Sequence, residues 1–308
     1  AELNIAKQRF ADLAEKAAWD NMNPWAKAGA RGVAYYDSAR NLMTSGELSF
    51  VLRQGKMAAL SHPIMAIKAL APMFKTLLAT QAKAQALDAE VHTDPLAENA
   101  RRAKLHIVEE NATLSKQEEI NMGRYQNAIP VLRNFNWAAR VFLNKVRMDM
   151  FKAMRKSLSK TGEPTPEEEK QIAMFINEST GRGGLGGPAG EKAGVVLSRI
   201  FFSPRYFTSR IGLLSMHGVW GGPKEARRAK MLVAKEYGRM AIGLGLYYTL
   251  LYSFFNRDDK AKIGKTTTSS DLGKIRKGDT TLDPLAGLSQ SIVLAERMRQ
   301  GVTTNSKG

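Results

Sequence analysis

The chain contains no cysteine, and only four histidines and four tryptophans among its 308 residues. Without thiols there is no disulfide, no thiolate metal site and no cysteine nucleophile, and the redox compartment stays undetermined. His62, His92, His106 and His217 are scattered, with no HExxH and no close pairing that would hold a metal, so each reads as structural. No serine sits in a GxSxG elbow and no Walker lysine pattern occurs. No secretory signal is visible either: the stretch from Glu2 to Glu15 mixes charges and lacks an uninterrupted apolar core, so export by that route is not expected. Acid is in short supply, with 29 acidic against 46 basic residues and a formal net charge of +17.

What is present is a foldable composition. At 44% apolar the chain is long enough for one large or two ordinary domains with a real core. The positive excess is segregated: residues 124–160 carry 9 basic residues against 1 acidic, and 199–308 carry 19 against 8. A basic excess of this kind favours a polyanion partner, nucleic acid or an anionic membrane surface, although lysine and arginine also solvate ordinary helix faces.

The apolar spacing is almost wholly helical. Leu3, Ala6, Phe10, Leu13 and Ala17 follow 3, 4, 3, 4 spacing, which puts them on one stripe of an amphipathic helix ending near Asn23 and Pro24. Ser61 with Pro63, and Asp94 with Pro95, read as N-cap and first-turn pairs. Ser115 with Glu118 and Thr165 with Glu168 have capping-box spacing, the latter with Pro166 at the first helical position. Residues 160–166 form a turn-rich linker, and six glycines with Pro188 among residues 181–190 carry too much backbone entropy for a helix. Pro204 after Ser203 starts another helix; Gly221, Gly222 and Pro223 separate it from a long one reaching about Phe255. Leu272–Ile275 and Thr280–Leu282 then flank a Lys277, Gly278, Asp279 turn as a small hairpin, and Pro284 opens a last helix. The fold class is therefore mainly α, an elongated multi-helix bundle with one small β-hairpin near the C-terminus. Its expected parts are an N-terminal helical bundle over 1–160, a linker helix and glycine-rich joint over 161–190, and a basic C-terminal helical region over 191–308 with the hairpin at about 271–283.

Three features are candidates for function. On a helical wheel Arg133, Arg140 and Arg147 make one stripe and Lys145, Lys152 and Lys156 another, two basic rails that would neutralise phosphates without reading sequence. Met240 to Phe255 has no charged residue; its sixteen residues span only ~24 Å against a ~30 Å hydrocarbon core, so a buried helix is the stronger reading and bilayer contact the weaker. Met240, Leu244, Tyr247, Tyr248, Leu251, Phe254 and Phe255 are its candidate membrane or oligomer contacts, and Gly238, Gly243 and Gly245 would admit a neighbouring backbone. In Phe201 to Arg210, Arg205 and Arg210 stand beside Phe201, Phe202, Tyr206 and Phe207, either as an interface anchor or, the favoured reading, as core aromatics with arginines paired inside the fold. Gly181, Gly183 and Gly186 spell GxGxxG, but Ile172 to Glu178 before them is helical by spacing, so a flexible joint is preferred to a nucleotide site, and Arg182 within it pairs with a carboxylate or phosphate. Glu109, Glu110, Glu118 and Glu119 are read as a charged helix face rather than an acid–base set. No cofactor is expected and the chain is read as non-catalytic.

Three phrases along the second half, NESTGRGG (Asn177 to Gly184), FFSPRYFTSRIGLL (Phe201 to Leu214) and SSDLGKIRKGDTTLDPLAGL (Ser269 to Leu288), carry a resemblance. GELSFVLRQG (Gly46 to Gly55), the Ser61, His62, Pro63 turn and FLNKVR (Phe142 to Arg147) extend it upstream. The chain resembles a large polyvalent-protein-associated domain, a helical family of very long phage and prophage polyproteins and of internal virion proteins ejected with the genome, over roughly Gly46 to Gly301. The resemblance implies an assembly role in the virion interior with delivery to the host envelope, lytic or polymerase activities lying elsewhere in a longer polypeptide. Its partners would be further copies of itself, other virion proteins, DNA without sequence specificity, and the host membrane. The rival expectation is a non-catalytic accessory module of a prophage polyprotein enzyme. Ala1 is not an initiator methionine and the family pattern usually runs past Gly308, so a piece of something larger is expected.

Overall fold

The computed structural model of the chain describes residues 20–27, 54–108, 130–187, 190, 203–258, 260–285 and 287–304. The N-terminal amphipathic stripe, the Ser115 capping box, the four-glutamate set at 109–119 and Phe201 with Phe202 lie outside the described residues. The protein is mainly helical with a small antiparallel sheet near the C-terminus.

The first two helices, α1 (Lys56–Ser61) and α2 (Pro63–Leu77), are one path broken at His62. Pro63 supplies no N–H and pushes the residue before it out of the helical region, and His62 sits at φ −135°, ψ 65°. Ser61 is therefore not the N-cap that the sequence suggests: its hydroxyl donates back to the Met57 and Ala58 carbonyls and closes α1, while His62 takes the cap position. Next come α3 (Gln81–His92) and α4 (Ala97–Arg102). Asp94 precedes α4 by a turn, accepting from the Leu96 amide at 3.0 Å, so the helix begins later than the Asp94, Pro95 pair implies.

At ~45 Å long, α5 (Pro130–Ser159) is the longest helix described, and α2, α3, α4 and α6 pack around it. Phe142, Leu143, Met150 and Phe151 on it have no exposed surface. The next helix, α6 (Pro166–Ser179), opens with both hydrogen bonds of the expected Thr165, Glu168 capping box and with Pro166 at its first position. Reading it as a linker helix needs correction. Ile172, Ala173, Phe175 and Ile176 are completely buried, and α6 touches α4, α5, α7 (Pro204–Leu214), α8 (His217–Trp220) and α9 (Arg227–Phe255). A helix flanked on so many sides buries its polar positions as well, among them Glu168, Glu169, Gln171 and Glu178, which is why its spacing looks like an exposed connector. One hydrophobic cluster runs from Met57 through α5 and α6 to Val233, Tyr237 and Leu288.

The glycine-rich joint splits in two. Thr180 to Gly183 is buried: the Gly183 amide donates to the Arg205 carbonyl at 3.0 Å, and a Cβ there would lie 2.3 Å from the Ser209 amide nitrogen. Beyond it, Gly184, Gly186 and Gly187 face open space. Near the C-terminus β2 (Ile275–Lys277) and β3 (Thr280–Leu282) form the expected hairpin around Gly278, whose φ is +58°. Two residues, Lys262 and Ile263, add a third antiparallel strand, β1, too short to leave a period in the sequence. Ile263, Ile275 and Leu282 pair across the inner face, and Ile275 is fully buried. The last helix, α10 (Leu288–Gln300), starts after a turn in which the Asp283 carboxylate accepts from the Leu285 and Gly287 amides, the turn-forming role its place beside Pro284 suggests.

Candidate interaction surfaces

The two basic rails on α5 do not survive folding as phosphate-binding rows. Arg140 and Arg147, two of the three arginines of the first rail, have no exposed surface. The Arg140 guanidinium lies 3.6 Å over the Trp137 ring and its Nε is 3.3 Å from Asp88, whose other oxygen accepts from the Asn144 amide. Arg147 donates to the Thr180 hydroxyl at 2.8 Å, to the Thr180 carbonyl and to the His106 carbonyl, fastening α5 to the turn after α6. A guanidinium held this way cannot reach a phosphate, because withdrawing it would strand the carbonyls and the hydroxyl it satisfies in a dry interior. Of Arg133 only the backbone is described.

The second rail is outside the core but largely paired. Lys145 lies 2.7 Å from Asp149 on its own helix, and Lys152 reaches Asp94 at 2.6 Å. Burial alone would raise the Asp94 carboxyl, but hydrogen bonds from Lys152 and the Leu96 amide outweigh it and hold the group below its usual range. Lys156 stands in solvent. Wheel geometry had separated the two rails correctly by angle. What it could not supply was the packing of α2, α3 and α6 around three sides of α5.

The buried acids on α6 account for other cations. Glu168, while closing its own capping box, receives both Nε and Nη2 of Arg228 from α9 at 2.7 and 2.6 Å, a bidentate pair. Glu169 accepts from Arg155 of α5 and from Asn99 of α4. Glu178 contacts the half-exposed His217 ring at 2.6 Å. Arg182, Arg205 and Arg210 are likewise buried, with Arg210 stacked 4.3 Å from the Tyr206 ring centre, which is the internal role favoured for the aromatic and arginine phrase. These pairings make scaffold. Among the described residues no group of three histidines or carboxylates could hold a metal, and two cavities of about 380 and 340 Å³ are open grooves, one between α3, α4, α5 and residues 104–108 and one between α4, α5 and the start of α6.

The apolar half of α9 is split along its length. Ala229, Val233, Tyr237 and Met240 are buried and Leu244 packs against the core, while Tyr247, Tyr248, Leu251 and Phe255 are half-buried. Lys56 on α1 lies 5.1 Å over the Tyr247 ring and donates to the Asp283 carbonyl; burial lowers its pKa. Gly243 admits a neighbour as expected, since a Cβ there would sit 2.2 Å from the Leu60 carbonyl oxygen; Gly238 and Gly245 meet nothing within 4 Å. The opposite face is bare: Ile242, Leu246, Leu250 and Phe254, four apart, are each 62 to 71% exposed. Within the run itself Met240 alone is buried and the rest of that face is half-covered, and of the seven contacts named from sequence only Phe254 belongs to the open row. The row was legible in principle, as the side of the wheel facing away from Val233, Tyr237 and Met240. Among the described residues no helix is long and apolar enough to cross a membrane.

Cations frame the remaining surface. On the outer face of the sheet Lys262 stands directly across from Arg276, both exposed, a like-charge pairing that costs stability. Lys235 and Arg239 are exposed on α9 ahead of the apolar row, and the Arg257 guanidinium lies 4.9 Å from the Phe254 ring at its end. Compared with protein-family models, curated proteins and solved structures, the chain matches none.

Proposed function

We propose that this chain is a structural module of a phage internal virion or DNA-ejection apparatus, in which copies associate into a ring or tube through the exposed row of α9. The observation that carries this reading is the row itself: Ile242, Leu246, Leu250 and Phe254, with Gly238 continuing it one step toward the N-terminus at fourfold spacing and open to solvent. Four such side chains present roughly 500 Å² of apolar-rich surface, at the upper end of what an ordinary monomer exposes (about 300–600 Å²) and short of the ~800 Å² per partner of a standard interface. Assembly therefore draws on polar surface around the row as well. Phosphate contact, with Arg140 and Arg147 committed internally and Lys152 and Arg239 paired with Asp94 and Glu236, passes to Lys156, Lys235, Lys262 and Arg276. The three sequence phrases and the segregated charge support the virion context.

Mass photometry of the chain, with and without detergent or anionic liposomes, tests the reading. The wild type is expected to form a discrete oligomer, and Leu246→Asp with Leu250→Asp to shift it toward monomer while the helical circular dichroism signal stays. A strictly monomeric, liposome-indifferent and DNA-indifferent wild type sinks the proposal in favour of the accessory module.

A further inference from the structure

A second apolar row lies open along α2 and its C-cap. Ile64, Ile67, Ala71, Phe74 and Leu78 follow 3, 4, 3, 4 spacing on the solvent side, and the four large side chains among them are 69, 65, 50 and 94% exposed. Ala66, Ala69, Met73 and Thr76 line the buried side of the helix, which packs on α5. The two open rows match in length and differ in form. From Ile64 to Leu78 is ~21 Å, and from Ile242 to Phe254 on α9 is ~18 Å. Beside the α9 row runs a parallel line of small exposed residues, Ala241, Gly245, Thr249 and Ser253, also four apart, so that face is a ridge with a shallow groove next to it. On α2 the side chains stand in pairs three apart, Ile64 with Ile67 and Ala71 with Phe74. Ridges of threes on one helix lodge in grooves of fours on another at a crossing of about 20°, which keeps the two in contact along their length.

We propose that the α2 row of one copy seats on the α9 row of the next, an inference that rests on the self-association proposed above and names its second surface. Topology is the first reason. A contact between two different surfaces repeats from copy to copy and closes into a ring or continues as a tube, whereas α9 on α9 stops at a two-fold dimer and leaves every α2 row in water. Area is the second. The α2 row exposes roughly 500 Å² of apolar-rich surface, as the α9 row does, so the facing rows enclose about 1,000 Å² in total, the size at which specific interfaces begin. Charge is the third. The charged residues of α2 are Lys68 and Lys75, so α2 on α2 would gather four lysines with no acid on either helix; Met240 to Asn256 carries no charge, and there the lysines meet neutral surface.

Complementation tests the pairing. Ile67→Asp with Phe74→Asp disables the α2 row, and Leu246→Asp with Leu250→Asp the α9 row. In sedimentation velocity each full-length variant alone is expected to be monomeric with its helical circular dichroism intact, and their equimolar mixture to form a dimer and nothing larger, because one good row remains on each. An oligomeric wild type whose assembly the α2 variant leaves unchanged overturns this proposal and spares the self-association through α9; a monomeric wild type removes both. A wild type held by anionic vesicles without forming oligomers, and released by the α2 variant, makes the row a bilayer contact and also overturns it. Milder substitutions give an independent measurement, since the chain has no native cysteine. Ala71 and Thr249 lie near the centres of the two rows, so Ala71→Cys with Thr249→Cys tests the contact whichever way the helices run. Oxidised with diamide, the double variant is expected to give a ladder of linked chains at least about tenfold faster than either single variant gives dimers. Dimers of Thr249→Cys alone formed as fast as the ladder, or no ladder, refute the pairing.

Discussion

Two glycines two residues apart on α9, and so on opposite sides of the helix, should respond to the same substitution with opposite sign. Gly243→Ala places a Cβ 2.2 Å from the Leu60 carbonyl oxygen and 2.9 Å from the Leu60 carbonyl carbon, so α1 must back away by about 1 Å. The obstacle is backbone, which cannot rotate aside, and α1 is the element that packs along this half of α9. Overpacking of that kind costs about 1–3 kcal/mol, against a helix-propensity gain of about 1 kcal/mol for replacing an interior glycine. The net expectation for Gly243→Ala is a loss of up to about 2 kcal/mol. Gly245→Ala meets nothing within 4 Å, so only the propensity gain of up to ~1 kcal/mol remains. In a chain of this size each kcal/mol moves the melting temperature by about 2–4 °C, so the two variants should bracket the wild type by several degrees in a circular dichroism melt. Run at concentrations below any self-association, the comparison isolates the α1 contact. Equal shifts of the same sign for the two variants would falsify the close approach of α1 and α9.

Arg147→Met removes a buried guanidinium that ties α5 to Thr180 and His106, and is expected to cost about 3 kcal/mol in urea unfolding, while Lys156→Ala on the same helix stays within ~0.5 kcal/mol. A stable Arg147→Met protein that loses salt-dependent DNA binding would instead restore the rail reading. Glu168 and Glu178, at the two ends of α6, should give opposite pH dependence. Hydrogen bonds from Arg228, against the opposing pull of burial, hold Glu168 below its ordinary value of 4.5, so its contribution is full above that value and is lost as pH falls through the depressed folded pKa. Burial pushes Glu178 up against the opposing contact with His217, so its contribution is full below 4.5 and is lost as pH rises through the raised folded pKa. Urea midpoints measured across roughly pH 3 to 7 should show Glu168→Gln flattening the acid side of the stability curve and Glu178→Gln the neutral side; the same side flattened by both would refute the assignment.

Local chemistry was readable from the chain alone. The Thr165, Glu168 capping box, the Ser203, Pro204 helix start, the Gly278 turn and the long helix ending at Phe255 depend on contacts within a few residues, so their signals sit next to one another in sequence. Spacing likewise fixed which residues share a face of α5 and of α9. The tertiary structure decided which faces are covered. Arg140 and Arg147 occupy a stripe indistinguishable by sequence from a solvated one until Asp88, Trp137, Thr180 and His106 close over it, from as far as 52 positions away. The helix from Pro166 to Ser179 reads as a polar connector because its glutamates are balanced by Arg155, Arg228 and His217 on three other elements, none of which its own spacing can announce. Periodicity gives the angle at which a side chain leaves its helix; burial is set by what arrives from elsewhere in the chain, as it is for Arg140 and Arg147.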